Sequence, residues 1–155
     1  MISKSADDLE KAFDKWTDRT NNYPYADSDK NFGYKFAGAV PVRNRQHHWG
    51  IAKGWDPKNI VNKEVPRQDL PMSRNPKTGW VVTCNQKVVD ADYPYFMSIA
   101  FAPEYRARVL VEYINNCSKK MDISNMLEMH NQIISIPAKK MINFSKKISI
   151  NNKGF

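Results

Sequence analysis

The sequence lacks the features that mark several protein classes. Two cysteines in 155 residues are too few for a disulfide-rich scaffold. Cys84 and Cys117 also lie outside the spacings of zinc sites, and we interpret both as buried thiols. No apolar run approaches ~18 residues, which argues against a transmembrane helix, and the first residues form no apolar signal-peptide core. The phosphate loop, the nucleophile elbow and the dinucleotide-binding fingerprint are absent as well.

The positive charge is concentrated near the end of the sequence. The formal net charge is +8, and residues 143–155 are rich in Lys and Asn. We therefore predict a disordered basic tail at 143–155, after a single domain at residues 1–142. A basic surface can bind nucleic acid or an anionic membrane. Because much of the excess charge lies in the last forty residues, we predict neither of these partners.

Local patterns predict both helices and strands. Ser5 is a suitable N-cap, and apolar residues at helical spacing after it predict a helix at residues 5–19. Two aromatic stretches around an Asx-rich turn predict a β-hairpin, with strands near residues 22–26 and 32–38. Residues 39–78 contain five prolines and keep no period, which is typical of a long irregular segment.

The rest of the chain is predicted to contain one strand followed by helices. Residues 80–84 are apolar on both faces, which favours a buried strand. Glu104–Asn116 and a segment that starts at Asp122 or Ser124 have the apolar periodicity of helices. The fold class predicted from these elements is α+β.

Few side chains stand in arrangements that suit catalysis or metal binding. His47 and His48 are adjacent and have no partner at a zinc-type spacing, so we interpret them as solvated loop residues. His130 falls on a helix and is interpreted as a packed or surface residue. Asp27 and Asp29 could begin a calcium loop, but the glycine and the distal glutamate of an EF-hand are missing, which favours a turn.

One stretch of sequence carries a family resemblance. Residues 78–89 read Thr-Gly-Trp-Val-Val-Thr-Cys-Asn-Gln-Lys-Val-Val, and Asp92-Tyr93-Pro94 follows shortly after. This order resembles the penicillin amidase family of N-terminal nucleophile hydrolases, in which a turn with glycine leads into a buried strand that ends in an asparagine. Flanking segments match in the same order: residues 25–43, Gly54-Trp55-Asp56, Leu70-Pro71 and residues 103–108.

The resemblance implies a fold, a reaction and two site residues. Family members have a four-layer αββα sandwich, and this chain would be a partial one, an interior segment of the large subunit. They hydrolyse the amide of N-acylated small molecules, such as penicillins or acyl-homoserine lactones, with an N-terminal serine whose α-amine is the general base. Asn85 matches the asparagine that stabilises the oxyanion, and Arg106 matches an arginine that orients this region.

The resemblance also carries expectations about cofactors and location. The chemistry needs no cofactor. Many relatives bind a structural calcium ion, so the resemblance leaves room for one in a full-length form, but no ligand set is recognisable in this sequence. Bacterial relatives are often periplasmic, and no segment of this sequence specifies a location.

The sequence departs from the family pattern at the nucleophile. The nucleophile must be the first residue of a mature subunit, whereas this sequence begins Met1-Ile2. None of the six glycines precedes Ser, Thr or Cys, so no self-cleavage junction after glycine is present. We therefore expect a fragment of a penicillin-acylase-type amidohydrolase that is inactive without the missing remainder of the enzyme.

Two other functions are consistent with the residues. The chain is a non-catalytic interaction module if it completes a separately encoded subunit. It is a small basic nucleic-acid-binding protein if its charge forms a binding face, in which case its binding weakens steeply with salt. A nucleophile junction in the upstream reading frame would indicate a mis-split enzyme instead.

Overall fold

The computed structural model describes residues 2–151, and for residues 149–151 the backbone alone. This part of the chain is an α+β structure with four α-helices and one antiparallel sheet. The elements are α1 (Ala6–Asp14), β1 (Asn21–Ala26), β2 (Phe32–Ala37), β3 (Met72–Arg74), α2 (Tyr105–Asn116), α3 (Ile123–His130) and α4 (Ile136–Asn151).

The described residues fall into two compact units. Unit 1 comprises residues 2–83 and 87–101, and unit 2 comprises residues 84–86 and 102–151. Unit 1 lies wholly within the segment predicted as a single domain at 1–142, and unit 2 continues past residue 142. None of the described helices is long and apolar enough to cross a membrane.

Helix α1 starts where the sequence predicts. The Ser5 side chain accepts a hydrogen bond from the Asp8 backbone N–H. Acidic residues in the first turn stabilise the helix further, because their negative charge lies at the positive end of the helix dipole. The helix ends at Asp14, earlier than the predicted residue 19. Beyond its end, Trp16 meets the Tyr23 ring edge-on, with ring centroids 6.0 Å apart.

The sheet has the order β1-β2-β3, with β2 in the centre. The predicted hairpin is confirmed, because β1 and β2 pair antiparallel with Tyr23 opposite Lys35 and Tyr25 opposite Gly33. Strand β3 pairs with the other edge of β2 and places Arg74 opposite Gly33. This third strand falls in the segment that was predicted to be irregular.

The prediction of a buried strand at residues 80–84 is wrong. These residues are half-buried and form no strand. They follow a turn in which the Gly79 N–H donates to the Pro76 carbonyl, as expected. Both edges of β2 are already paired with β1 and β3, so the 80–84 segment has no free edge of β2 to pair with.

One face of the sheet is joined to α1 through charged and aromatic side chains. Lys35 is buried, and its Nζ lies 2.5 Å from Asp14 Oδ1 and 3.2 Å from the Glu10 carbonyl oxygen. Tyr25 donates to the Glu10 carboxylate, and Arg74 donates to Asp7. Asp7, Glu10 and Asp14 share one helix face at the i, i+3, i+7 spacing. Burial and the Glu10 carboxylate raise the pKa of Tyr25 above its usual value.

The other face of the sheet covers a small apolar core in unit 1. Val40, Val65 and Leu70 are buried there and pack with Phe36. The Val65 N–H donates to the Val40 carbonyl at 2.8 Å, which folds the proline-rich segment back onto the sheet. The segment predicted to be irregular therefore supplies both a strand and most of this core.

Unit 2 is helical. Helix α2 covers the predicted segment, and α3 begins after Asp122, whose side chain forms a capping box with Asn125. The Tyr113 hydroxyl donates to Glu128 at 2.8 Å and ties α2 to α3. Both predicted helices are thus present.

Helix α4 enters the segment that was predicted to be a disordered tail. It extends to Asn151, so residues 143–151 are helical, whereas residues 152–155 lie outside the described part of the chain. Apolar residues at helical spacing and four lysines, which are good helix formers, explain the difference.

Candidate functional site

The loop at residues 84–86 positions the candidate oxyanion residue. Asn85 has a φ of 64°, in the left-handed region that Asn tolerates better than most residues. Its carbonyl accepts a hydrogen bond from the Ala102 N–H at 2.8 Å. The Cys84 N–H donates to the Gln86 side chain at 2.5 Å. These contacts hold a tight loop. Asn85 was expected at the end of a strand, but it lies at an exposed turn.

Arg106 reaches this loop from the first turn of α2. Its Nη2 donates to the Cys84 carbonyl and to Asn85 Oδ1, each at 2.8 Å. The expectation that Arg106 and Asn85 converge, although they are twenty-one residues apart in sequence, is therefore confirmed. Both side chains are exposed and face the surface of unit 2.

The arginine fixes the orientation of the Asn85 amide. A guanidinium has hydrogen-bond donors and no acceptor, so the amide atom of Asn85 that faces Arg106 must be the oxygen. The amide NH₂ is then directed away from the guanidinium. An NH₂ held in this way can donate a hydrogen bond to a developing negative charge without reorganisation, which is what an oxyanion site requires.

A cavity of about 510 Å³ adjoins this pair within unit 2. Arg106 and Cys84 line it together with apolar residues of α2, including Val109 and Leu110. The end of α3 contributes Met129, and the chain from Gln132 to Pro137 supplies the rest. The polar pair therefore stands next to a largely apolar space.

The Asp92-Tyr93-Pro94 turn belongs to unit 1 and has structural contacts. The Tyr93 hydroxyl donates to the Asp69 carbonyl at 2.8 Å, and the Tyr95 hydroxyl donates to Asp69 Oδ2 at 2.7 Å. Burial raises the pKa of the Tyr93 hydroxyl, and the nearby Asp69 charge adds to the effect. These contacts give the turn a structural role.

The three histidines are not gathered into a site. His47 lies 3.2 Å from the Asn59 side chain, and His48 meets the Phe96 ring edge-on at 5.0 Å between centroids. The pair is thus half-buried and packed rather than solvated. His130 is exposed at the end of α3 and lines the cavity of unit 2.

The acidic loop at Asp27 is a hydrogen-bonded turn. No group of three His, Cys, Asp or Glu side chains among residues 2–151 is close enough to hold a metal ion. Asp27 instead accepts hydrogen bonds from the Asn31 side chain and from the Ala6 and Asn31 N–H groups. The bond from the Asn31 side chain is the largest cause that keeps the pKa of Asp27 below its usual value. This carboxylate organises the hairpin turn.

Sequence reasoning missed two contacts that shape the site. The Cys84 carbonyl shares the Arg106 guanidinium with Asn85, and the Gln86 side chain closes the loop. A Gln immediately after the candidate asparagine is a weak local signal, because a side chain can satisfy a neighbouring N–H in many loops. Backbone acceptors such as the Cys84 carbonyl leave no signal in the residue types.

Comparisons with known proteins give the chain its family. The profile of the penicillin amidase family matches residues 1–153. The acyl-homoserine lactone acylase QuiP of Pseudomonas syringae pv. tomato is 30% identical over 142 residues, which cover 86% of this chain and 16% of the relative. Penicillin acylase 2 proenzyme of Pseudomonas sp. (strain SE83) is 28% identical over 92 residues, which cover 59% of this chain and 12% of the relative.

These matches also define the extent of the similarity. The chain spans between 12% and 16% of the length of these curated relatives. A second QuiP acylase, from Pseudomonas syringae pv. syringae, is 29% identical over the same number of residues. Because the family profile covers nearly the whole sequence, the chain belongs to the penicillin amidase family.

Proposed function

We propose that this chain supplies the oxyanion asparagine and its positioning arginine to an amidohydrolase of the penicillin acylase type. The substrate is the amide of an N-acylated small molecule. The observation that carries the proposal is the pair of 2.8 Å hydrogen bonds from Arg106 Nη2 to Cys84 O and Asn85 Oδ1. They orient the Asn85 NH₂ for donation.

The proposed reaction needs groups that lie outside this chain. An N-terminal serine attacks the amide carbonyl, and the α-amine of that serine takes its proton. The carbonyl oxygen becomes an oxyanion, and Asn85 Nδ2 donates to it. Arg106 acts through Asn85 as a positioning residue. The serine, the second oxyanion donor and the rest of the αββα sandwich belong to the remainder of the enzyme, so the chain alone is inactive.

A chimera tests this function directly. The aligned segment of the QuiP acylase from Pseudomonas syringae pv. tomato is replaced by this chain, and hydrolysis of an N-acyl-homoserine lactone is measured. We expect Asn85→Ala to lower kcat about 10²- to 10³-fold, as the loss of one oxyanion donor does elsewhere. Gln46→Ala, at an exposed residue of unit 1, is the control and should leave kcat unchanged.

Two results would overturn the proposal. One is an Asn85→Ala chimera with the kcat of the parent chimera. The other is turnover of acyl amides by the isolated chain that disappears when a residue of this chain is substituted. If the parent chimera does not fold, the same substitution is made at the aligned asparagine of the relative.

A second candidate function is that of a non-catalytic interaction module. Unit 2 exposes large apolar side chains on and beside α3 and α4, among them Ile123, Leu127, Ile133, Met141 and Phe144. Several large apolar side chains exposed on neighbouring turns are typical of a surface that another polypeptide covers. Co-expression with the complementary part of a relative, followed by size-exclusion chromatography, tests whether a stable complex forms without turnover.

A further inference from the structure

Most of helix α4 is uncovered within the described residues. Its start is anchored on unit 2, because Ile136 is half-buried and Lys140 Nζ lies 6.0 Å from the ring centroid of Tyr105 in α2. From residue 137 to residue 148 every side chain is exposed, and the exposed fraction reaches 65% at Met141 and 61% at Phe144. An exposed face that carries such large apolar side chains needs a covering partner.

The apolar and basic residues of α4 lie on different sides of the helix. Apart from Ile136, the described apolar side chains fall within an arc of about 160° at 3.6 residues per turn: Pro137, Ala138, Met141, Ile142, Phe144 and Ile148. The four lysines of α4 form two pairs, one beyond each edge of this arc: Lys139 with Lys146, and Lys140 with Lys147. The helix is therefore a basic amphipathic helix.

The charge around the apolar face has one sign. No Asp or Glu follows Glu128 in the sequence, and no ion pair among residues 2–151 involves a lysine of α4. An anionic bilayer surface offers acyl chains to the apolar face and negative head groups to the lysines at both edges. A nucleic acid would pair with the lysines and leave the apolar face uncovered. The arrangement thus complements an anionic lipid surface.

From these observations, we infer that α4 binds an anionic phospholipid surface and lies in the plane of the interface. Met141, Phe144 and Ile148 enter the boundary between head groups and acyl chains, and the lysines extend to the head groups. The sequence alone predicted no membrane partner, because the charge fell in a segment predicted to be a disordered tail. The helix gives the same residues an apolar and a basic side. This inference goes beyond the proposed function and does not involve Asn85 or Arg106.

Co-sedimentation of the purified full chain with vesicles tests the inference. The vesicles are pure phosphatidylcholine, or phosphatidylcholine with about one third phosphatidylserine. We expect the affinity for the anionic vesicles to be at least about tenfold higher, because each lysine near such a surface contributes about fivefold. The difference should shrink at high salt. Equal binding to the two kinds of vesicle, or no binding to either, would overturn the inference.

Lysine variants assign the electrostatic part to α4. Lys146→Gln combined with Lys147→Gln removes one lysine from each edge and should weaken binding to the anionic vesicles at least about tenfold. Lys119→Gln combined with Lys120→Gln is the matched control, because it removes two exposed lysines of unit 2 that lie outside α4. Equal losses in the two double variants would contradict the assignment, because net charge alone would then explain the binding.

Apolar variants test whether the uncovered face enters the bilayer. Phe144→Gln should weaken binding to the anionic vesicles about tenfold, because a large apolar side chain no longer leaves water. Leu127→Gln is the control, since this residue of α3 has the same exposed fraction of 61%. Far-UV circular dichroism checks that each variant keeps its helices. Undiminished binding of a folded Phe144→Gln chain would contradict insertion of this face.

A polypeptide that covers α4 would give a different pattern. The chain would then ignore anionic vesicles, and Phe144→Gln would abolish the complex with the complementary part of a relative in the co-expression experiment. That result would overturn the inference and assign α4 to the interaction module.

Discussion

Two regions of the molecule differ in how far their side chains are paired or covered. One is formed by α1 and the sheet, and the other by the helices of unit 2. In the first region, one sheet face is covered by the acidic face of α1, and the other face covers Val40, Val65 and Leu70. In unit 2, α3 and α4 leave large apolar residues exposed, and the polar pair of Asn85 and Arg106 lies at the surface. The first region pairs most of its charged side chains internally, whereas α3 and α4 leave apolar side chains uncovered within the described residues.

This contrast predicts where substitutions matter. In the isolated chain, changes at the α1–sheet interface should cost stability. Substitutions of exposed residues in unit 2 should change the stability of the isolated chain little. The two regions can be followed separately, because all four tryptophans belong to unit 1. Tryptophan fluorescence therefore reports on unit 1, and far-UV circular dichroism is dominated by the longer helices of unit 2.

The largest effect is expected for Gly33→Ala. A Cβ at this central position would lie 2.2 Å from the Ser73 carbonyl oxygen, which belongs to the backbone of β3. The sheet must move to admit it, at a cost of about 3 kcal/mol in the free energy of unfolding. Urea unfolding followed by tryptophan fluorescence measures the loss. Gly50→Ala is the control, because nothing lies within 4 Å of its added Cβ, and a similar loss there would contradict the packing argument.

Asp14→Ala should have the next largest effect. It leaves the buried Lys35 ammonium without its carboxylate, and an unpaired buried charge is costly. Because Asp14 is itself 43% exposed, water can reach the pair, and we expect a loss of about 2 kcal/mol rather than more. Asp18→Ala, at an exposed residue, serves as the control in the same urea experiment. Equal effects of the two substitutions would show that Lys35 does not depend on Asp14.

Tyr25→Phe tests the pH dependence of the same interface. The pKa of Tyr25 is raised in the folded chain, chiefly by burial and then by the Glu10 hydrogen bond. A raised pKa stabilises the fold fully below the unfolded value of 10.0, and this stability is lost as the pH rises above it. Tyr25→Phe should cost about 1.5 kcal/mol at neutral pH and should flatten the decline of Tm above pH 10. An unchanged slope would contradict this role.

The smallest effect is expected for Ile133→Ser in unit 2. This side chain is 96% exposed, so its removal should change the free energy of unfolding by less than about 0.5 kcal/mol. The same substitution should reduce self-association of the isolated chain, because it removes part of an exposed apolar surface. Circular dichroism and light scattering measure the two effects. A loss of 2 kcal/mol or more would show that Ile133 is covered within the chain itself.

Local signals predicted much of this fold. Ser5 and Asp122 both cap helices as expected, and the hairpin turn lies where Asp27 and Asn31 indicate it. Each of these depends on residues a few positions apart. The prediction of a strand at 80–84 failed, because strand pairing depends on a partner that is distant in sequence. The second edge of β2 pairs with β3 instead.

The candidate site could be predicted only in part. The family resemblance brought Asn85 and Arg106 together, whereas apolar periodicity alone only predicts a helix at Glu104–Asn116 and does not single out Arg106. The shared bond to the Cys84 carbonyl and the left-handed φ of Asn85 arise from the loop conformation, which residue types do not specify. The ion pair between the buried Lys35 and Asp14 was also missed, because a lysine in an aromatic strand is ordinarily exposed.

The central claim is that Arg106 acts through Asn85, and a double-mutant cycle on kcat in the QuiP chimera tests it most directly. The four proteins are the parent chimera, Asn85→Ala, Arg106→Ala and the double variant. If Arg106 only orients the Asn85 amide, removing it after Asn85 has been removed changes nothing further. We therefore predict that the double variant has the kcat of Asn85→Ala alone. Losses that multiply in the double variant would contradict the account, because the two side chains would then act independently.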